Sequence, residues 1–393
     1  MRPAARLQSA IELLDAVITS ARDGGASADQ LAKRFFAERR YAGSKDRRAV
    51  RELTWSAIRR FGERPDSARS AFVAMADGDA ELAALFDGSD YGPATIVASE
   101  PRASGGVLPQ WILPHFYGLV DETERRALLD RAPLDLRVNA LKASRDAVLT
   151  EFPEAELLAQ SPFALRLPTG QAIDSHRAVQ EGEVEIQDLG SQLIVDSCAA
   201  KPGMTVLDLC AGAGGKTLGL ASYMAGKGRL IASDTNRSRL DQLQPRASRA
   251  GALEIETRLL NPNRERAMLS DFAGACDLVL IDAPCSGSGT WRRNPETRWR
   301  LNPSRLDQVI AAQSSLLDIG AEMVATGGHL VYAVCSLLDD EGGEQVSNFL
   351  DRHQSWRAEA VSVPAGRVHG EGVLLTPHHD GTDGFFFARL QRL

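Results

Sequence analysis

The chain has 393 residues, of which 44% are hydrophobic and 25% charged, with a formal net charge of −7. This composition is typical of a soluble protein of two or three domains and excludes a disordered or globally basic chain. Five cysteines without a CxxC pair and seven scattered histidines argue against a zinc site or a disulfide framework. No secretory signal or apolar membrane span is evident. We therefore expect a cytoplasmic, metal-free monomer without a membrane partner.

Residues 1–125 are rich in Ala, Leu, Arg and Glu and predict helices. Ala10, Leu13, Leu14 and Val17 share one face at helical spacing. The first 60 residues hold 13 Lys and Arg against 7 Asp and Glu, a local net charge of +6 (13 − 7). Such a surface is usually only solvated, although it also fits an RNA-facing module. On charge alone the solvated surface is favoured.

Residues 126–200 predict a small mixed α+β domain, with strand-like alternation at 135–139. Residues 201–393 alternate strand and helix signals. Short apolar runs lie at 205–209, 229–233, 277–281 and 329–334, and a last strand is expected near 384–390. Strands alternating with helices predict a parallel sheet covered on both faces.

A glycine-rich turn follows the first strand of this sheet. It comprises Cys210, Ala211, Gly212, Ala213, Gly214, Gly215 and Lys216. The spacing is neither the dinucleotide pattern GxGxxG nor a P-loop, because position 210 is Cys rather than Gly. The turn therefore predicts a site for a nucleoside without a triphosphate. Asp234 follows the next strand, where a carboxylate binds ribose hydroxyls. An N-cap is the alternative interpretation of Asp234.

Two further strands each end in a cysteine. Asp282 and Cys285 follow one strand, and Cys335 follows the next. Because parallel strands place their carboxyl ends at one edge, we expect two thiols and a carboxylate to converge beside the nucleoside site. Buried structural cysteines are commoner, and we assign Cys198 and Cys276 to that class. Cys210 is not expected to be chemical.

These groups suit methylation of cytosine at C5. A thiolate added to C6 makes C5 nucleophilic, and a base must then remove the C5 proton. A carboxyl group at N3 would stabilise the charge that develops on the ring. The residues alone do not decide which thiol attacks.

The segments CAGAGGKT, SDTN, DAPCSGSG, YAVCS and DGFFFARL resemble those of the RsmB/Sun/NOP family of RNA cytosine-5 methyltransferases. The resemblance covers about residue 130 to the C-terminus. It implies a class I, Rossmann-like α/β methyltransferase domain of about seven strands that uses S-adenosyl-L-methionine. Residues 6–61 also resemble the NusB-type helical RNA-binding domain, which implies small-subunit (16S) rRNA as the substrate.

The resemblance also implies residue roles. Cys335 would be the nucleophile, Cys285 would help to release the product, and Asp282 would contact cytosine and the methionine end of the cofactor. Residues 210–216 and Asp234 would hold the cofactor. Two positions depart from the family: Ala213 replaces a proline, and Asn261 stands near the place of an acid that reaches toward adenine.

RNA contacts are expected from two segments. Arg137 and Asn139 lie in a stretch that resembles the family ahead of the cofactor loop. Arg292, Arg293 and Arg298 lie beside two tryptophans after the DAPCS segment, a composition that suits phosphate contact and base stacking. An exposed basic loop is the alternative.

Three other functions are weighed. A tRNA cytosine-5 methyltransferase would use the same chemistry. A non-catalytic RNA-binding ribosome-assembly factor is disfavoured by the intact Cys285, Cys335 and Asp282. Amino-group methylation favours an Asn/Asp-Pro-Pro-aromatic motif where this chain has Asp-Ala-Pro-Cys.

Overall fold

A computed structural model describes residues 1–252 and 254–393, which form two compact units. The first unit comprises Met1–Phe116, Asp121–Asp130 and Thr290–Pro303. The second comprises Tyr117–Val120, Arg131–Gly289 and Ser304–Leu393. In the described part of the chain, no helix has the length and apolarity that a bilayer span requires.

The first unit is helical, as the periodicity of residues 1–125 predicts. Its α-helices are α1 Pro3–Asp23, α2 Ala28–Glu38, α3 Ser44–Arg60, α4 Ala68–Ala76, α5 Ala80–Ala83 and α6 Glu122–Ala127. Two 3₁₀ helices, Gln110–His115 and Pro295–Arg300, belong to it. The apolar faces of α1 to α4 form its core, which includes Trp299. The sequence patterns did not predict that residues 290–303 pack with the N-terminal helices.

The second unit begins with a small antiparallel sheet in the order β2-β3-β1-β4. Its elements are β1 Leu134–Val138, α7 Arg145–Glu151, β2 Glu156–Leu157, β3 Ala164–Leu167, α8 Arg177–Gln180 and β4 Val184–Ile186. Helix α9, Leu189–Ser197, follows. The mixed α+β character of residues 126–200 matches the expectation, but this sheet lies in the same compact unit as the large sheet.

The large sheet has nine strands rather than about seven. Its order is β11-β12-β13-β9-β8-β5-β6-β7, and β10 pairs with β13. Strands β5 to β9 are parallel, and β13 returns antiparallel to β9. The elements are β5 Thr205–Asp208, α10 Gly215–Met224, β6 Arg229–Asp234, α11 Arg237–Leu240, α12 Leu243–Ala250, β7 Ile255–Leu259, α13 Glu265–Met268, β8 Cys276–Asp282, α14 Pro303–Met323, β9 Val324–Val334, α15 Gly343–Arg352, β10 Trp356–Glu359, β11 Arg367–His369, β12 Gly372–Leu375, α16 Pro377–Asp380 and β13 Phe385–Arg392.

The strand order reverses its direction beside β5. The chain runs from β5 outward through β6 and β7, and then returns to the other side of β5 with β8. Ligands of open α/β sheets bind outside the carboxyl ends of the strands at such a reversal. The strand order therefore directs attention to the loops that follow β5, β6, β8 and β9.

Candidate active site

The glycine-rich turn leaves β5 and opens α10. Gly212 has φ 56° and Gly214 has φ 86°, both in the left-handed region. A Cβ on Gly214 would lie 2.7 Å from Leu243 Cγ, whereas a Cβ on Gly212 would meet no atom within 4 Å. Gly214 is therefore required by both backbone conformation and packing, and Gly212 borders open space.

The residues around this turn fit a nucleoside cofactor. Helix α10 begins after Gly214, which has no side chain to cap its free N–H groups, so a carboxylate would be accepted there. Among the described residues, the buried Asp208 Oδ1 has no hydrogen-bond partner, and burial raises the pKa of Asp208 to about 7. At the end of β6, half-buried Asp234 accepts a 2.8 Å hydrogen bond from Gly212 N.

The other predicted members of the cofactor site take different positions. Asn261 follows β7 at the same sheet edge and is exposed. Its backbone N–H donates to Met268 Sδ at 3.2 Å. Cys210 is half-buried, and burial, assisted by nearby Asp208 and Asp234, raises the pKa of its thiol well above the usual value. Cys210 is therefore a protonated thiol.

The structure brings the two strand-end cysteines together. Strands β8 and β9 are parallel neighbours, with Asp282 opposite Ala333. Cys285 Sγ lies 3.3 Å from Cys335 Sγ. The hydrogen bond to Cys335, together with burial, raises the pKa of the Cys285 thiol well above its usual value. Both cysteines are only partly buried, so this edge presents two adjacent thiols.

The other pair of cysteines differs. Cys198 and Cys276 are buried in the core. Burial raises the pKa of Cys276 to about 12 and raises that of Cys198 further. Inert thiols of this kind agree with the structural role expected for them.

A lysine and an aspartate lie beside the thiols. Lys216 Nζ, on α10, lies 2.6 Å from Asp282 Oδ2, and the Asp282 side chain is 32% exposed. Burial lowers the pKa of Lys216, but the negative charge of Asp282 and the hydrogen bond to it outweigh this effect, so the net shift is upward. The sequence placed Lys216 only in the cofactor loop, whereas the structure pairs it with the aspartate of the cysteine loop.

A buried glutamate, not anticipated from the sequence, follows the second thiol. Glu341 accepts hydrogen bonds from Ser286, Ser336 and Gln313. Ser286 and Ser336 directly follow Cys285 and Cys335. The only sequence signal is an acid six residues after Cys335 in an acidic run, a feature that an exposed turn would also show.

The expected RNA contacts at Arg137 and Asn139 are not met, because both side chains are buried. Arg137 donates to Gln187 and, at 2.7 Å, to the carbonyl of Gly215. Asn139 Nδ2 donates to the carbonyls of Gly182 and Ala250, each at 2.7 Å. These side chains therefore connect the small sheet with the first residue of α10 and the end of α12.

The basic segment 291–300 needs a similar correction. Arg298 is 0% exposed and donates to the backbone carbonyls of Val107, Ile58, Arg59 and Phe61. Three of these carbonyls lie at the C-terminal end of α3, where a cation is favoured. Arg292 is buried and Arg293 half-buried. Arg298 and Arg292 are therefore interior residues of the helical unit, not a surface for RNA.

A family model described as 16S rRNA methyltransferase RsmB/F matches residues 195–391. The chain belongs to the RsmB/F family. Among the relatives of this RsmB/F protein is the probable ribosomal RNA small subunit methyltransferase B of Synechocystis sp., 34% identical over 299 residues, 72% of this chain and 66% of the relative. The ribosomal RNA small subunit methyltransferase B of Pectobacterium atrosepticum is 32% identical over 298 residues, again 72% and 66%. The match thus spans just under two thirds of the relatives' own length.

Solved structures agree with this fold. The crystal structure of PH0851 has a TM-score of 0.79 at 22% identity and covers 98% of this chain and 99% of that one. The structure of a methyltransferase homolog protein from Pyrococcus horikoshii has a TM-score of 0.63 at 25% identity, with coverage of 71% and 92%. NSun6 from Pyrococcus horikoshii with SFG has a TM-score of 0.65 at 18% identity, with coverage of 72% and 98%.

Proposed function

We propose that this protein transfers a methyl group from S-adenosylmethionine to C5 of a cytosine in RNA, with small-subunit rRNA as the substrate. The proposal rests chiefly on the 3.3 Å separation of Cys285 Sγ and Cys335 Sγ at the sheet edge that also holds the glycine-rich turn. Two small-subunit rRNA methyltransferases among the relatives support the substrate.

The cofactor site is assigned to the turn after β5 and to Asp234. The free N–H groups at the start of α10 would hold the methionine carboxylate, and Asp234 would accept from the ribose hydroxyls. Asp208 Oδ1, which lacks a partner among the described residues, would face the positive end of the ligand. When bound, S-adenosylmethionine supplies an electrophilic methyl group on a sulfonium.

Cys335 is proposed as the nucleophile, in line with the family resemblance. Its thiolate forms a bond to C6, and the electron pair of the C5–C6 double bond becomes available for the new bond from C5 to the methyl group. Once Cys335 is bonded to C6, its hydrogen bond to Cys285, which keeps the Cys285 thiol protonated, is lost. Cys285 can then release its proton to water and take up the C5 proton as a thiolate. The C5–C6 double bond re-forms as the bond between C6 and Cys335 breaks, which returns Cys335 as a thiolate.

The Lys216–Asp282 pair is proposed to orient the base. Asp282 Oδ2 accepts a hydrogen bond from Lys216, and the Asp282 side chain is one third exposed. Asp282 can therefore reach a bound cytosine while Lys216 fixes its orientation. The target base must leave its stack to reach Cys335.

The helical unit is proposed as an RNA-contacting module of the NusB type. A cavity of about 260 Å³ in this unit is lined by Arg22, Arg64 and Arg300, with the half-buried Trp111. Among the described residues, the Nε atom of Arg300 has no acceptor. Arginines beside aromatic rings suit phosphate contact and base stacking.

The reaction can be tested with purified protein, RNA and isotope-labelled S-adenosylmethionine. Nucleoside analysis by mass spectrometry should find labelled 5-methylcytosine in small-subunit rRNA. Labelled 5-methylcytosine in tRNA alone would keep the chemistry and change the substrate. Label in another methylated nucleoside, or in none, would overturn the proposal.

A further inference from the structure

The buried carboxylate of Glu341 lies in a 3₁₀ turn, Asp339–Glu341, that follows β9. It is 0% exposed, and its hydrogen-bond partners are neutral groups. Oε1 accepts from Ser286 N at 2.7 Å and from Gln313 Nε2 at 3.0 Å. Oε2 accepts from the hydroxyls of Ser286 and Ser336, each at 2.5 Å. Four donors thus offset the cost of burying the negative charge.

The two serines connect this carboxylate to the thiols. Ser286 is the neighbour of Cys285, and Ser336 is the neighbour of Cys335. A single carboxylate oxygen therefore ties together the loops that carry the two thiols. We propose that Glu341 is a positioning residue that fixes the separation of Cys285 and Cys335. The catalytic part of this inference rests on the proposed function.

The hydrogen bonds to the Glu341 carboxylate are strong enough to fix the positions of the two loops that carry the thiols. Hydrogen bonds to a carboxylate are shorter and stronger than those between neutral groups, and in the interior they have no competing water. Ser288 extends the network, since its hydroxyl lies 3.0 Å from Ser336 Oγ and accepts from Leu337 N at 2.8 Å. The segments after Cys285 and Cys335 are thereby joined at several points, so neither thiol can move alone.

The surrounding charges distinguish the two thiols. Cys285 faces Cys335, Glu341 and the N–H of Gly287; its pKa is raised by the bond to Cys335 and by burial, and the negative charge of Glu341 adds to this. Cys335 instead interacts electrostatically with the ammonium of Lys216. The negative charge of Glu341 therefore favours the protonated form of Cys285.

The test begins with Glu341→Ala, Glu341→Gln and the control Glu344→Gln, which changes the charge of an exposed side chain three residues away. Since a misplacement of about 1 Å costs about 100-fold in rate, Glu341→Ala should lower kcat by about 100-fold. KM for RNA and for S-adenosylmethionine should stay within about twofold, because the cofactor turn is untouched. Glu341→Gln should recover part of kcat, because glutamine keeps the shape and can reorient the serine hydroxyls.

A double-mutant cycle tests whether Glu341 acts through the serines. Ser286→Ala with Ser336→Ala removes the two hydroxyl partners, and Glu341→Gln added to that pair should reduce kcat little further. If the fold-loss in kcat of the triple variant equals the product of the losses in the serine pair and in Glu341→Gln, Glu341 acts independently of the serines. That result would overturn the inference.

Cysteine alkylation, resolved by peptide mass spectrometry, decides the matter without any methyl transfer. In Glu341→Ala the alkylation rates of Cys285 and Cys335 should change several-fold, while Cys198 and Cys276 stay protected. Unchanged rates at Cys285 and Cys335, or exposure of all four cysteines, would overturn the inference, the latter by showing a general loss of structure. If the wild-type protein transfers no methyl group, the proposed function fails, and the alkylation pattern still tests Glu341.

Discussion

Two buried charges, Glu341 in the second unit and Arg298 in the first, are stabilised in the same manner but by opposite partners. Glu341 is surrounded by N–H and O–H donors, and Arg298 by backbone carbonyls. Among the described residues, neither has an oppositely charged partner in contact. Arg298 donates to the carbonyls at the C-terminal end of α3, whereas Glu341 lies beside the loops that carry two thiols. A buried charge thus indicates a function only when reactive groups share its environment.

The contrast between Glu341 and Arg298 predicts that changes beside Glu341 affect catalysis, and the largest effect is expected at the thiols. Cys335→Ala should reduce methyl transfer by at least about 10⁴-fold, because Cys335 is the proposed nucleophile and its loss would remove the proposed covalent route. Cofactor affinity should stay within about threefold, since Cys335 lies outside the glycine-rich turn. Single-turnover assays and equilibrium binding check this, with Cys198→Ala as a buried-cysteine control. Full activity of Cys335→Ala would refute the mechanism.

The neighbouring thiol should respond differently. Cys285→Ala should leave the bond from Cys335 to C6 in place, because no group then removes the C5 proton. A protein–RNA adduct that survives denaturing electrophoresis is the expected observation. Cys285→Ala with Cys335→Ala should form no adduct. An adduct in that double variant would place the nucleophile elsewhere.

At the arginine, the expected effect is on stability. Arg298→Met should destabilise the helical unit by about 3 kcal/mol, because several charge-assisted bonds to the end of α3 are removed. Hydrogen exchange of α3 amides in the intact chain measures this, with exposed Arg48→Ala as the matched control. Equal protection of α3 in the Arg298 variant and the wild type would contradict the assignment.

A smaller effect concerns Asp208, a third buried charge, whose pKa is raised from 3.8 to about 7 by burial. Between about pH 4 and pH 7, the Asp208 carboxyl is therefore protonated in the folded state and ionised in the unfolded state. The free energy of unfolding falls as pH rises through this range, because the unfolded state binds fewer protons. Between about pH 6 and pH 8 the loss should be about 1 kcal/mol. Denaturant unfolding at both pH values should show it, and Asp208→Asn should remove it. A wild-type protein with no such decline would contradict the burial argument.

The weakest effect is expected at the arginine-lined cavity of the helical unit. Arg22→Ala with Arg64→Ala should weaken binding of unrelated RNAs alike and reduce the slope of log affinity against log salt by about one for each phosphate that the variant no longer neutralises. Fluorescence anisotropy at several salt concentrations measures this, and Arg48→Ala serves again as control. An unchanged slope of log affinity against log salt would show that the arginines of this cavity do not contact RNA phosphates.

The sequence could predict the sheet and the convergence of Cys285 with Cys335, because both follow from a local rule about the ends of parallel strands. It could not predict the environment of Arg298, since its partners lie about 190 to 240 positions away along the chain. A segment with arginine beside tryptophans has the same sequence pattern whether the arginine contacts RNA or donates to the carbonyls at the end of a helix. Glu341 was missed for a related reason, because an acidic turn gives no sign that one of its carboxylates is buried.

The proposed reaction is tested most directly by bisulfite sequencing of rRNA and tRNA from the parent strain, a strain lacking this protein, and that strain complemented with wild-type or Cys335→Ala protein. We expect one cytosine of small-subunit rRNA that is protected in the parent, converted in the deletion, protected again by the wild-type protein and not by Cys335→Ala. Identical cytosine protection in the parent and the deletion strain, or restored protection by Cys335→Ala, would contradict the proposed reaction.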